Sequence, residues 1–195
     1  MKRKVLKILI IIVAMTFSSF MVCATDEGVM LACNGFEKQA NTEWCWVASA
    51  RNSVHYETDN HRTQKAAVYH IKGSLLNWYP NEPGTIQEIE EAAEYISKDT
   101  EDYYAVESTL SFVQLQMEVN YSNATIATAG YYNNGVRTGG HAVVIYGYYI
   151  SGTDEYILYH DPWDNTTHTC LYSDFCDGSY NSAIYEQTCI NFETN

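Results

Sequence analysis

The period of the apolar residues changes near residue 124, and this change constrains the fold more than any other feature of the chain. Before it, helical spacing or helix-capping residues mark four segments: 45–56, 63–72, a segment that opens at residue 85, and 111–119. After it, β-branched and aromatic residues mark four segments of strand length: 124–131, 141–150, 155–161 and 183–192. A helical half followed by a strand half predicts an α+β fold, with the N-terminal helices packed against a C-terminal antiparallel sheet.

Two capping boxes and one apolar run make this prediction more specific. Thr85 and Glu88 stand three residues apart, as do Ser111 and Gln114, and each pair opens an apolar stripe at helical spacing. The run Ala142–Tyr146 is apolar on both of its faces. We therefore expect it to form a central strand that is covered on both sides.

The N-terminal residues are typical of a secretory signal peptide. Basic residues within 2–7 precede an apolar stretch over 8–22, and the small residue Ala24 suits a cleavage site. We therefore predict a signal peptide over residues 1–24, a single mature domain over residues 25–195 and an extracellular location. A retained membrane anchor is the alternative, although the apolar stretch is at the short end for crossing a bilayer.

Acidic residues dominate the charge of the chain. It contains 24 Asp and Glu against 11 Lys and Arg, a net charge of −13, and loss of the basic N-terminal segment would make it more negative. Such a surface repels nucleic-acid phosphates and anionic lipid, so we expect no nucleic-acid partner and no membrane contact after cleavage. The sequence lacks the closely spaced cysteine pairs with neighbouring histidines that are typical of zinc sites. We therefore expect no cofactor or metal. We expect a monomer.

The number of cysteines after the predicted cleavage site is odd, so they cannot all form disulfide pairs within the chain. Five follow the predicted cleavage site: Cys33, Cys45, Cys170, Cys176 and Cys189. An odd number in an exported protein predicts one free thiol and disulfide pairs. If Cys45 is the free one, the other four allow three connectivities, and the clustering of the last three predicts at least one local bridge.

Cys45 lies where the first predicted helix begins, between Trp44 and Trp46. The free amide groups of a helix N-terminus favour a thiolate over a thiol, so a cysteine placed there is a candidate nucleophile. Such a nucleophile needs a base, and a histidine suits that role near neutral pH. Of the six histidines, His141 is the best placed, because Gly139–Gly140 precede it and the most apolar strand follows it.

A carboxylate that could orient the histidine follows in the next strand. Asp161 ends a predicted strand and can hold the ring of His141 in one tautomer. The alternative is an aspartate that only begins the turn at Pro162. Side chains alternate along a strand, so His160 and Asp161 point to opposite faces and at most one of them can face the thiol. His168 is expected in a polar loop.

Gln39, six residues before the cysteine, supplies the last candidate. Its side-chain amide can donate to the oxyanion that forms when a carbonyl is attacked, together with the backbone N–H of Cys45. In chain order, Gln39, Cys45, His141 and Asp161 resemble the papain-like (clan CA) cysteine peptidases. Three short runs carry the resemblance: Gln-x5-Cys-Trp, Gly-His-Ala-Val, and Asp-Pro-Trp, which ends at Trp163.

The resemblance implies a papain-like fold and a secreted thiol endopeptidase that hydrolyses protein or peptide substrates. Cys45 would be the nucleophile, His141 the base, Asp161 its orienting group and Gln39 the oxyanion donor. Trp163 would cover the histidine–carboxylate contact. Short bacterial forms are the most similar: the staphopain and secreted-effector type and the bacteriocin-leader peptidases, which implies a bacterial source.

The run before the nucleophile departs from the family pattern, because it lacks the family's usual first cysteine and glycine, and two other functions fit the same candidate site. Trp44 is far bulkier than the family's usual residue before the nucleophile, so we expect it to narrow the nucleophile loop. The same catalytic groups also serve acyl transfer and deamidation, because a fold does not fix a reaction. A third function is a secreted binding module without catalysis, for which the 17 tyrosines are suitable contact residues.

Overall fold

The structure, a computed structural model, describes residues 26–32, 35–57, 61–74 and 78–191. The predicted signal peptide and Cys33 lie outside these ranges. The helices are α1 (Cys45–Glu57), α2 (Gln64–Lys72), α3 (Ile86–Ser97), α4 (Phe112–Asn120) and α5 (Tyr172–Asp177). The strands are β1 (Glu27–Met30), β2 (Tyr103–Val106), β3 (Thr125–Asn133), β4 (Val136–Ser151), β5 (Asp154–Asp161), β6 (Thr166–Leu171) and β7 (Ala183–Asn191).

The described strands form one seven-stranded antiparallel sheet in the order β2-β7-β3-β4-β5-β6, with β1 beside β4. Strand β4 is the longest, with 16 residues, and changes partners along its length. Its first part pairs with β3, whereas β5 pairs with it only from Val144 onward. The predicted α+β class is confirmed.

Two hydrophobic cores lie on opposite faces of this sheet. Helices α1, α2 and α3 pack against one face, where Ile126, Ala142 and Cys189 are buried. Helices α4 and α5 pack on the other side, where Val143 and Ile145 are buried. Alternation along β4 sends Ala142 and Val143 to different cores, which confirms the prediction of a strand covered on both faces.

Both predicted capping boxes are present and fix the starts of α3 and α4. Thr85 Oγ1 accepts from the Glu88 amide at 3.2 Å, and Glu88 Oε2 accepts from the Thr85 amide at 2.8 Å. Ser111 and Gln114 make the same reciprocal pair. The apolar stripe of α3, which includes Ile89, is fully buried, and burial of each large aliphatic side chain stabilises the fold by about 1.5–3 kcal/mol.

Several elements were not predicted. The local sequence patterns are weak in the short strands β1 and β2 and in helix α5. Strands β1 and β2 form by pairing with distant segments, β4 and β7. His168 lies on β6, which pairs with β5, so the expectation of a polar loop there is wrong. Strand β4 begins at Val136, five residues before the predicted start at His141, and Gly139–Gly140 pair with β3. Within the described ranges, no helix combines the length and hydropathy that crossing a membrane requires.

The expected local disulfide is not formed among the described cysteines. Cys45, Cys170, Cys176 and Cys189 are all free. Cys170 and Cys189 are buried in the two different cores, on opposite sides of the sheet, so they cannot pair. Burial raises the pKa of the Cys176 thiol, and the nearby hydroxyl of Tyr172 acts in the opposite direction.

Candidate active site

Cys45 begins helix α1, and buried neighbours hold it there. Trp44 and Trp46 are 2% and 1% exposed. Their indole N–H groups donate to the backbone oxygens of Pro80 at 2.8 Å and Glu82 at 3.0 Å. Each indole therefore ties the start of α1 to the segment before α3, and the cysteine between them cannot move far without breaking these contacts.

The position of Trp44 corrects the expectation that its bulk narrows the nucleophile loop. Its side chain turns inward and packs in the core beneath α1, not into the space above the thiol. The hydrogen bond to Pro80, 36 residues away in sequence, sets this direction. The residue before it, Glu43, is exposed and faces the groove instead.

His141 and Asp161 come together where β4 and β5 separate. Val144 of β4 pairs with His160 of β5. Asp161, the residue after His160, therefore lies beside the segment of β4 that carries His141. His141 Nε2 and Asp161 Oδ1 are 2.7 Å apart. The side chain of Cys45 is close enough to the ring of His141 to raise the pKa of that ring. Since Nε2 is engaged by the carboxylate, Nδ1 is the nitrogen left for the thiol.

The electrostatics of this cluster favour a charged imidazole. Burial opposes the charge on His141, but the hydrogen bonds and charges of Asp161 and Cys45 outweigh it and raise its pKa to about 9. The pKa of Asp161 is lowered: burial acts against its charge, and the hydrogen bond and charge of His141 prevail. The backbone N–H of Trp163 donates to the same Asp161 oxygen at 2.8 Å. A proton held at His141 is therefore available near the thiol at neutral pH.

The indole of Trp163 does not share this buried environment. Trp163 is 54% exposed, and its hydrogen bond to Asp161 comes from its backbone N–H. The expectation that the ring covers the contact between His141 and Asp161 stays a prediction.

Gln39 lies in the nucleophile loop, but its amide hydrogens are engaged within that loop. Its Nε2 donates to the backbone oxygens of Asn41 and Thr42, both at 2.8 Å. Its Oε1 is buried and has no hydrogen-bond partner among the described residues. Its backbone N–H donates to the carbonyl of Pro162 at 2.9 Å. Gln39 thus joins the nucleophile loop to the turn after Asp161, and its oxyanion role stays a prediction.

Sequence reasoning missed a residue that holds this loop. Gln64, at the start of α2, is buried. Its Oε1 accepts from the Ala40 amide at 3.0 Å, and its Nε2 donates to the Lys38 carbonyl at 2.9 Å. These contacts clamp the residues on both sides of Gln39. A glutamine in the first turn of a helix is usually solvated, so the sequence offers no signal for this role.

A groove of about 800 Å³ opens beside the thiol. Its walls contain Cys45, the segment Pro83–Gln87 at the start of α3, and the consecutive residues Gly139–Ala142 of β4. Gly84 packs directly on the ring of Trp46, and a Cβ there would collide with it. Because Gly139 and Gly140 have no side chains, the backbone of β4 itself forms part of the wall.

One cluster of the described residues has metal-ligand geometry. Ligand atoms of Asp161, Asp164 and His168 lie within 4.8 Å of one another. Their polar atoms already have protein partners: Asp161 contacts His141, Asp164 accepts from Thr166, and His168 pairs with Asp164 at 3.3 Å. We assign no ion to this cluster.

Comparison with known proteins identifies the family. The Peptidase_C39 like family matches residues 35–188, a range that contains all four candidate site residues. The chain belongs to this family, and its fold is that of the papain-like cysteine peptidases. A comparison with curated protein sequences finds no match.

Solved structures of cysteine peptidases share the fold at low sequence identity. The procathepsin L2 proteinase from the larval midgut of Tenebrio molitor has 11% identity and a TM-score of 0.54, over 80% of this chain and 64% of that one. ProCathepsin B S9 from Trypanosoma congolense has 9% identity and a TM-score of 0.53, over 80% and 71%. A structure from work on the mite allergens Blo t 1 and Der p 1 has 10% identity and a TM-score of 0.53, over 81% and 66%. Identities this low show the fold alone.

Proposed function

We propose that this protein is an exported cysteine peptidase in which Cys45 attacks the carbonyl of a peptide bond. The observation that carries the proposal is the cluster of Cys45, His141 and Asp161: His141 Nε2 is 2.7 Å from Asp161 Oδ1, and Cys45 is close enough to the same ring to raise its pKa. A nucleophile, a base and an orienting acid in contact are what this reaction requires. The family to which the chain belongs supports the same chemistry.

His141 handles the proton in both halves of the reaction. The thiolate of Cys45 adds to the carbonyl carbon, and the imidazolium then gives its proton to the leaving amine as the C–N bond breaks. The resulting thioester is hydrolysed by water, whose proton passes to His141. The raised pKa of His141 supports this cycle, because the ring is protonated when the amine leaves.

Asp161 and Gln39 assist through the ring and the oxyanion. Asp161 holds Nε2 of His141 and so directs Nδ1 toward the sulfur. The backbone N–H of Cys45, in the first turn of α1, lacks an acceptor within the helix and is a natural donor to the oxyanion. For Gln39 to donate as well, its amide must leave the carbonyls of Asn41 and Thr42 that it now contacts.

The groove suits an extended peptide. Strand β4 pairs with β3 through Val136–Ile145, but β5 joins its other edge only from Val144. Among the described strands, none pairs with that other edge over residues 136–143. Free backbone N–H and C=O groups at a sheet edge bind extended chains, and Gly139 and Gly140 add no side chains of their own to this stretch.

Product analysis of the purified protein tests the proposal. We expect a casein-type substrate to acquire new peptide N-termini, and we expect Cys45→Ala to remove this activity while the protein stays folded. Full activity in the alanine variant would overturn the proposal. Ammonia release or cross-linked products without new N-termini would instead assign acyl transfer or deamidation to the same site.

Export belongs to the same proposal and rests on the N-terminal segment alone. We expect the mature protein to be found outside the producing cell and to begin near Thr25. N-terminal sequencing of the protein from the culture medium tests this. Recovery of an intact N-terminus in the membrane fraction would show that the segment is kept as an anchor.

A further inference from the structure

We propose that Glu43 makes this site selective for substrates that carry lysine or arginine beside the bond to be cut. The inference rests on the proposed peptidase function and adds a substrate class to it. Its basis is the position and the charge of one carboxylate in the groove.

Glu43 is built into the wall next to the nucleophile. Its side chain is exposed and lines the same groove as Cys45, whereas Trp44 between them points into the core. The Cα atoms of Glu43 and Cys45 are at most about 7.6 Å apart, since consecutive Cα atoms are separated by about 3.8 Å. A lysine or arginine side chain next to the attacked carbonyl can span that distance.

The backbone of this residue is held in place independently of its carboxylate. The Glu43 amide donates to Asn81 Oδ1 at 2.9 Å, and Asn81 Nδ2 donates to Thr42 Oγ1 at 2.8 Å. The loop before the nucleophile is thereby tied to the segment before α3. The carboxylate itself takes no part in these bonds, so it can be neutralised without removing what positions the loop.

The other charged groups of the groove already have partners of opposite charge. Arg137 binds Glu186 through Nε and Nη2 at 3.0–3.2 Å, and His141 binds Asp161. Among the described residues, no cation pairs with the carboxylate of Glu43. Among the described residues that line the groove, the Glu43 carboxylate is therefore the charged group without a partner of opposite charge. A cationic substrate can meet it without displacing an existing ion pair, as it would have to do at Glu186.

A set of peptides matched except at the residues flanking the cleaved bond tests the selectivity. We expect peptides with lysine there to be cut roughly fivefold faster than those with glutamine, the upper range for an exposed ion pair. In Glu43→Gln, which keeps the shape and removes the charge, this ratio should fall close to one. An unchanged ratio in Glu43→Gln, or a preference for glutamate peptides, would overturn the inference.

Glu155→Gln is the matched control. Glu155 is exposed on β5, six residues or about 20 Å along the strand from Asp161. This variant changes the net charge by the same amount, and we expect it to keep the preference of the unmodified protein. Loss of the preference in Glu155→Gln as well would attribute it to net charge and would also overturn the inference.

A second measurement separates this inference from the proposed function. The rates at which cationic aminoethyl and anionic sulfonatoethyl methanethiosulfonate modify Cys45, resolved by mass spectrometry, need no peptide hydrolysis. We expect the ratio of the cationic to the anionic rate to fall several-fold in Glu43→Gln. If no peptide is cut and this ratio still falls, the peptidase proposal fails while selection of cations by Glu43 stands. If peptides are cut and neither ratio changes, the inference fails alone.

Discussion

His141 lies on β4 and His160 near the end of β5, and their surroundings move their pKa values in opposite directions. Burial lowers the pKa of each ring. At His160 burial prevails, because its hydrogen-bond partners are the neutral amides of Asn52 at 3.3 Å and Asn165 at 3.2 Å. At His141 the carboxylate of Asp161 and the thiol of Cys45 reverse the effect of burial.

The comparison shows that the charge of the partner, and not burial, decides the direction in which the pKa of each histidine moves. The alternation of side chains along β5 produces the difference, because consecutive residues, His160 and Asp161, face different environments. His160 ties helix α1 to strand β5 through Asn52. His141 lines the groove together with Cys45, the proposed nucleophile. Substitutions at the two histidines should therefore have different consequences.

The largest effect is expected for His141→Gln. Without the ring, the thiol has no base and the leaving amine has no proton donor, so kcat/KM should fall by about 10³-fold or more. The effect of the substitution on the free energy of unfolding should be smallest above pH 9, where the folded ring has lost its charge. Initial rates on a peptide substrate and urea unfolding of the same preparation measure both quantities. A variant that kept a tenth of the activity would remove His141 from the proposed mechanism.

The opposite result is expected for His160→Ala. Removing the ring leaves a cavity and deprives Asn52 and Asn165 of a partner, which should lower the free energy of unfolding by about 1–3 kcal/mol. Activity at a temperature where the variant is folded should stay within a few-fold of the unmodified protein. Chemical denaturation and initial rates test this pair of outcomes. A thousandfold loss of activity without loss of stability would assign His160 a role in catalysis.

The two histidines should also give opposite pH dependence. The raised pKa of His141 stabilises the fold fully below pH 6.5, and this contribution is lost as the pH rises toward about 9. The lowered pKa of His160 contributes stability above pH 6.5 that is lost as the pH falls below that value. Titration of the ring protons by NMR tests both directions. A midpoint for His141 near 6.5 would contradict its pairing with Asp161.

The smallest effect is expected for Asn165→Gly. Asn165 has a φ of 62°, a left-handed conformation that glycine also adopts, so the substitution mainly removes the hydrogen bond to His160 Nε2. We expect a loss of about 0.5–1.5 kcal/mol in the free energy of unfolding, with unchanged activity. Asn165→Ala adds backbone strain and should cost more. Equal losses in the two variants would show that the backbone conformation contributes nothing.

Local patterns predicted much of the fold. Capping residues marked the starts of α3 and α4, and apolar periodicity marked α1 and the central strands, because these elements are specified within a few residues. The candidate residues Cys45, His141 and Asp161 were also found from local context: a helix start, a glycine pair before an apolar strand, and a strand end.

What the sequence did not predict depends on distant partners. The inward direction of Trp44 is set by the carbonyl of Pro80, and its burial leaves Glu43 as the residue that faces the groove. The clamp that Gln64 forms around Gln39 joins two segments that no local pattern connects. The short edge strands likewise exist only through their pairing with longer ones.

Selective alkylation tests the central claim most directly. The claim is that Cys45, alone among the described cysteines, is a nucleophile activated by His141, whereas burial raises the pKa of Cys170 to about 12 and also raises that of Cys189. One equivalent of iodoacetamide at neutral pH should modify Cys45 and abolish peptide cleavage in proportion to the modification. Even labelling of all the cysteines, or full cleavage activity after complete modification of Cys45, would contradict the claim.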